Sequence, residues 1–153
     1  MATIEIRAER ADEEPGRTLL AEFEHEIATR YPGWDPNLGP SATPAEIGPP
    51  TGLFLVAYVD GEPSGCGALK QLDQEAAEIK RVYVAPSARG LGIARRVLGA
   101  LEEAAKELGY ACVRLDTGER LQEALALFRS TGYEAIPDYN GNPYAAYWFE
   151  KRL

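Results

Sequence analysis

Apolar and polar positions alternate at the start of the chain. Thr3, Ile4, Glu5, Ile6 and Arg7 follow a two-residue period, which predicts a half-buried strand over 2–8. The period then lengthens. Leu20, Phe23, Ile27 and Tyr31 recur every three to four residues and predict a helix from about Glu13 to Tyr31. Pro15 is tolerated in a first turn, whose N–H groups have no intrahelical partner. Pro32 and Gly33 end the helix. His25, the one histidine, falls on the far side of the stripe and reads as a surface residue. Leu53–Val59 is an apolar run of strand length, and Asp60-Gly61 is a hairpin turn signal. Ser64–Gln71 is the return strand, with Gly65 and Gly67 as weak spots or bulges. Ala76–Val84 predicts a further strand, closed by Pro86. Gly92–Leu108 is amphipathic, with Ile93, Val97, Leu101, Ala104 and Leu108 on one face and Gly109 as its cap. A strand over Tyr110–Leu115 and a helix over Leu121–Phe128 follow, the latter stopped by Gly132. Tyr133–Ile136 and Tyr144–Phe149 read as strands around Asn140-Gly141. This order, β-α-β-β-β-α-β-α-β-β, predicts an α+β fold with a mixed sheet.

One stretch has no period. Tyr31–Gly52 holds six of the eleven prolines and is neither a long helix nor a central strand. Loops of this length in a small domain are lids, binding loops or mobile segments. Trp34 within it is a candidate contact residue for substrate.

Composition narrows the function. A chain of 153 residues is expected to form one domain over 1–153, large enough to bury its own core. The net charge of −8 excludes the basic footprint of a nucleic-acid binder or of a protein held on anionic membranes. No apolar stretch approaches the roughly 20 residues that span a bilayer. Met1–Glu5 shows no basic segment followed by an apolar run, so a cytoplasmic protein is expected. Cys66 and Cys112 fall inside strands and read as buried free thiols. One histidine and two distant cysteines give no metal-site spacing, so no metal is expected.

Candidate chemistry concentrates in one segment. Val82-Tyr83-Val84-Ala85-Pro86-Ser87-Ala88-Arg89-Gly90-Leu91-Gly92-Ile93-Ala94 runs from a strand through a glycine turn into a helix. Free N–H groups and the positive end of the helix dipole make such a turn an anion site. From Ile79 to Leu101 there are five basic residues, Lys80, Arg81, Arg89, Arg95 and Arg96, and no acid. The Walker pattern is absent, and the third glycine of a dinucleotide fingerprint is replaced by Arg95.

Arg89-Gly90-Leu91-Gly92-Ile93-Ala94 fits Q/R-x-x-G-x-G/A, and on it the chain resembles the GNAT superfamily of acyl-CoA-dependent N-acetyltransferases. The segments Glu78–Val84, Leu115–Gly118, Gly132-Tyr133 and Tyr147–Lys151 also resemble that family, so the likeness covers essentially the whole chain. It implies a GNAT fold: a mixed, mostly antiparallel sheet of six to seven strands flanked by three to four helices, with the fourth and fifth strands splayed. It implies acetyl-CoA as cosubstrate. The pyrophosphate would lie on backbone N–H groups from Leu91 to Ala94, beside Arg89 and the glycines Gly90 and Gly92. The pantetheine arm would pair with the backbone of Val82, Tyr83 and Val84, with the Val84 N–H at the thioester carbonyl. The expected reaction is direct transfer of an acetyl group to a primary amine of a small or amino-acid-like acceptor, in a ternary complex. A homodimer is common among relatives.

The reaction needs a base for the ammonium and an exit for the thiolate. Glu78 occupies the fourth-strand position where family members place a glutamate base. Glu24, near the helix stripe, is a second acidic candidate, facing the acceptor. The family's tyrosine acid is missing: Phe128 stands in its place in Leu127-Phe128-Arg129-Ser130-Thr131-Gly132-Tyr133. Tyr139 and Tyr144 are the alternative acids, and Tyr147 is a candidate for the acceptor wall. A catalytically silent acyl-CoA sensor is the alternative that Phe128 favours. Outside the basic segment, 11 basic and 24 acidic residues leave −13, which suggests a cationic acceptor.

Overall fold

The computed structural model describes residues 1–153. Seven strands form one sheet in the order β1-β2-β3-β4-β5-β7-β6. They are β1 (Ile4–Ala8), β2 (Leu53–Val59), β3 (Glu62–Gln71), β4 (Ala76–Val84), β5 (Cys112–Thr117), β6 (Glu134–Ile136) and β7 (Tyr147–Arg152). The helices are α1 (Gly16–Arg30), α2 (Ile93–Glu107) and α3 (Gln122–Ser130), with a 3₁₀ turn at Pro86–Ala88. Every neighbouring pair is antiparallel except β4 and β5. The mixed α+β architecture is the one expected.

Two features of the sheet build the site. First, β4 and β5 pair only over Ala76–Glu78 and Cys112–Arg114. Beyond that point β4 follows β3 and β5 follows β7, so the sheet parts into a slot. Second, β4 carries a bulge. Cys66 faces Tyr83 and Ala68 faces Lys80, so Gly67 alone opposes Arg81 and Val82. Arg81 takes a left-handed φ of 59°, a conformation that costs a residue with a Cβ about 1–2 kcal/mol.

Helix α2 lies on this bulge. Ile93, Val97, Leu98, Leu101 and Ala105 are buried at three-to-four-residue spacing, each large side chain contributing roughly 1.5–3 kcal/mol. A Cβ on Gly67 would come within 2.6 Å of Val97 and 2.8 Å of Leu101, so only glycine lets the helix sit this close. The predicted stripe is corrected at its end: Leu98 and Ala105 belong to the buried face, and Leu108 is exposed. Gly109, at φ 94°, closes the helix, and Tyr110 N–H bonds back to the Ala105 carbonyl. α2 covers one sheet face with Ala77, Ile79, Leu115 and Phe128. The other face packs Phe54, Val56, Cys66, Ala68 and Tyr83 against Leu19 of α1 and against Ile47.

The proline-rich stretch divides in two. Ile47 is 1% exposed and pins its second half to the core. The Glu46 carboxylate accepts hydrogen bonds from Ser41 and from the Thr43 N–H, and pairs with Lys70 at 3.2 Å. The first half, 31–40, stands over the slot.

Candidate active site

The slot opens into a cleft of about 600 Å³, within the range of small-molecule sites. Its floor is β4 from Glu78 to Val84 together with Asp116, Thr117 and Gly118. One end is the start of α2. The other is walled by Phe23 and Ile27 of α1, by Tyr31, Trp34 and Asp35, and by Tyr144.

At the α2 end the backbone is left open. Gly90 and Gly92 have φ of 87° and 76°, which only glycine adopts without strain. No side chain caps the helix. The first N–H bonded there is that of Arg96, to the Gly92 carbonyl. The six N–H groups of Gly90, Leu91, Gly92, Ile93, Ala94 and Arg95 have no backbone or side-chain acceptor. Arg89 lies beside them. Its Nε donates to the Val84 carbonyl at 3.1 Å, and its guanidinium meets Glu26 at 2.5 Å.

The basic segment is therefore not free of acids once folded. Glu26 faces Arg89, and Lys80 lies 3.1 Å from Oε1 of Glu78. Arg95 donates to Ser130. Only Arg81 and Arg96 make no side-chain hydrogen bond or ion pair.

Beneath the α1 end of the cleft lies a buried polar network. Glu78 is 1% exposed. Its Oε2 accepts from the Tyr139 hydroxyl at 2.6 Å and from Asn140 Nδ2 at 3.0 Å. Its Oε1 has the Lys80 ammonium nearby but no hydrogen bond. Asn140 also donates to Asp116 at 2.6 Å and accepts from the Trp148 indole at 3.0 Å. Burial raises the Asp116 carboxyl above its ordinary range, and the Asn140 bond opposes that shift. Burial, then the Glu78 charge, pushes the Tyr139 phenol well above its ordinary range, so its proton stays in place. The Asn140 amide is placed by its turn, where Asp138 accepts from the N–H groups of Asn140 and Gly141.

Tyr144 stands at the rim. Its hydroxyl accepts from the Asp35 N–H at 2.9 Å, and its ring meets Tyr31 and Trp34 at 6.2 and 6.4 Å. The Tyr31 hydroxyl occupies the space beside Gly118, where a Cβ would approach to within 1.9 Å. Thr117 Oγ1 is buried in the cleft wall without a partner.

Comparison with known proteins agrees with this geometry. The acetyltransferase (GNAT) family profile matches residues 9–133. The chain belongs to the GNAT family. An IAA acetyltransferase of Azospirillum brasilense is 35% identical over 117 residues, 75% of this chain and 74% of that protein. A GNAT acetyltransferase structure from Staphylococcus aureus superposes with a TM-score of 0.80 at 18% identity, covering 99% of both chains. The PaiA N-acetyltransferase of Thermoplasma acidophilum, solved with coenzyme A, gives 0.74 at 19% identity, again over 99% of both. The protein is thus an acyltransferase with the GNAT fold.

Within the GNAT frame the expected residues separate into two groups. Glu78, Val82, Tyr83, Val84, Arg89, Gly90, Gly92, Ile93, Ala94, Trp34 and Tyr144 all line the cleft, and Leu91 contributes a free N–H at its edge. Three do not. Glu24 is absent from the wall because the buried line of α1 runs through Leu19 and Ile27 with Phe23 between them. Glu24 is one residue, roughly 100°, further round. Tyr147 projects to the opposite sheet face, where Arg129 lies 5.4 Å from its ring. Tyr139 is under the floor, committed to Glu78. Phe128 packs in the core against Tyr133 and Phe149, reaches the cleft wall, and has no hydroxyl to donate from. Sequence reasoning missed Asn140, read only as a turn residue, and gave no role to Asp116 or Thr117; Arg81 it counted only among the basic residues of the phosphate segment.

Proposed function

We propose that this chain moves an acetyl group from acetyl-CoA to the primary amine of a small molecule, with both substrates bound at once. The observation that carries the reading is the run of six free N–H groups, Gly90–Arg95, opening onto the same cleft as the slot between β4 and β5. Such a run suits a pyrophosphate, and unpaired strand edges suit an amide-bearing arm. The cosubstrate supplies an activated acetyl thioester.

The N–H groups of Gly90–Arg95 bind the phosphates, and Arg89 adds positive charge beside them. The free edge of β4 over Val82–Val84 orients the arm. A backbone N–H there, that of Val84, stabilises negative charge on the carbonyl oxygen. Thr117 adds a hydroxyl in the slot.

Glu78 is the base. Tyr139 and Asn140 fix Oε2, so Oε1, which faces the Lys80 ammonium at 3.1 Å, is the oxygen that receives the proton. Its burial calls for a water between it and the amine. Tyr144 is the acid: its hydroxyl accepts from Asp35 and keeps its own proton for donation. Neither cysteine lies in the cleft wall, and burial pushes the Cys66 thiol up to about 12. A covalent acyl-cysteine relay therefore has no nucleophile, which favours direct transfer.

The test is release of CoA thiol from acetyl-CoA across a panel of primary amines. Turnover with intersecting initial-rate patterns is expected. Tight CoA binding without turnover of any amine would replace this reading with the sensor that Phe128 favours.

A further inference from the structure

One cation in the cleft has neither a side-chain hydrogen bond nor an ion-pair partner in the protein. Arg81 lines the acceptor half, on the same side of β4 as Glu78 and Lys80. Its guanidinium makes no hydrogen bond, and no carboxylate comes within the 4.0 Å of an ion pair. The charge nearest in effect is Glu24, which stays beyond that distance. The guanidinium lies over the Phe23 ring, 5.6 Å from its centroid. A stack of this kind uses the face of the group and leaves its edge donors free.

The backbone holds it there. Arg81 occupies the left-handed bulge position, φ 59°, opposite Gly67. A non-glycine in that conformation costs stability, and strain kept at a cleft is a mark of use. Burial acts against the charge as well, lowering the Arg81 pKa from its ordinary value. Two unfavourable terms thus hold an unpaired cation in a cleft wall.

We propose that Arg81 is the acceptor-recognition residue, and that the acceptor is a small amino acid with an apolar or aromatic side chain, held through its carboxylate. A planar guanidinium matches a carboxylate with two parallel hydrogen bonds. Phe23, Tyr31, Trp34 and Tyr144 surround the same space with ring surface. Glu78 and Arg81 line the same cleft from one strand, and the water that serves Glu78 together with the long Arg81 side chain must span the roughly 10 Å of backbone between them. The acidic surface outside the basic segment suggests a cationic acceptor; the cleft interior selects a zwitterion. This inference rests on the acetyl-transfer reading.

Two measurements test it. The first compares L-phenylalanine with 2-phenylethylamine, which differs by the carboxylate alone. The wild type is expected to prefer phenylalanine at least 100-fold in kcat/KM. That ratio should fall about 100-fold in Arg81→Met and less in Arg81→Lys. A wild-type preference for phenylethylamine, or a ratio unmoved by Arg81→Met, overturns the proposal. The second needs no turnover. Phenylacetate, a carboxylate without an amine, is titrated calorimetrically against protein saturated with CoA. Binding at least tenfold weaker in a folded Arg81→Met supports the proposal; equal binding, or none to the wild type, overturns it. Loss of all acetyl transfer with phenylacetate binding intact would instead overturn the acetyl-transfer reading and leave the carboxylate site standing.

Discussion

The Tyr139 hydroxyl donates a 2.6 Å hydrogen bond to Oε2 of Glu78. The bond joins the β6–β7 connection to the middle of the sheet. It holds one oxygen of a buried carboxylate, while the other faces the Lys80 ammonium at 3.1 Å. Glu78→Gln is expected to lower kcat/KM by about 10²–10³, within the range for losing a general base. Tyr139→Phe removes the donor that holds Oε2, so the carboxylate is free to turn and kcat should fall several-fold while KM for acetyl-CoA stays nearly constant. Unchanged kcat in Tyr139→Phe would show that the bond only supports the loop.

Tyr144 carries a second prediction. Tyr144→Phe is expected to lower kcat about tenfold or more, because the leaving thiolate loses its proton donor. The loss of the Asp35 contact alone would change KM for the acceptor and spare kcat. Phe128→Tyr in that background restores a hydroxyl at the family position and should recover part of kcat. Unchanged kcat in both variants would leave thiolate departure unassisted.

The glycines of the α2 loop predict a defect confined to cosubstrate binding. A Cβ on Gly92 meets nothing within 4 Å, so its cost is the backbone conformation alone. Gly92→Ala should therefore cost about 1–2 kcal/mol and reshape the run of N–H groups. Measured by initial rates, KM for acetyl-CoA is expected to rise about tenfold, with KM for the acceptor nearly constant.

Glu46 predicts an acid-dependent loss of stability. Hydrogen bonds from the Thr43 backbone, then Ser41 and Lys70, hold its carboxyl down at about 2 against an ordinary 4.5. The folded value lies below the unfolded one. Its contribution is therefore fully present above pH 4.5 and is lost as pH falls towards 2. Thermal melts of wild type and Glu46→Gln should differ at neutral pH and converge through that window.

The two thiols predict silence. Burial raises both Cys66 and Cys112, and both are free. A thiol reagent should find no fast-reacting cysteine in the native protein and two in denaturant. Released CoA can then be read with the same reagent against little background.

Much of the fold is legible in period and punctuation. Alternation marks the strands, and Asp60-Gly61 makes the hairpin with φ of 49° and 83°. The free N–H groups lie at the glycine turn that the motif marks. What escapes is set by contacts far apart in sequence. β7 begins at Tyr147, not Tyr144, because Asn142 accepts from the Tyr144 N–H and holds that residue in a turn. Tyr144 thereby joins the cleft wall, while Tyr147 alternates to the opposite face. Asn140 looks like an ordinary turn residue until its amide is seen bridging Glu78 and Asp116, 62 and 24 residues away. Glu24 fails for a local reason: a stripe drawn through Leu20 is rotated from the one that packs.

The parting of β4 from β5 has a further consequence. An unpaired strand edge at the rim of a sheet is a template for association with other chains. This sheet keeps its rims short, with β1 at five residues carrying Glu5 and Arg7 and β6 at three. Its longest unpaired edge, that of β4 over Ile79–Val84, lies in the interior, between the start of α2 and the 31–40 segment. A neighbouring molecule's strand, flanked by its own sheet, does not fit there. The chain thus keeps backbone available for recognition while giving aggregation little to hold.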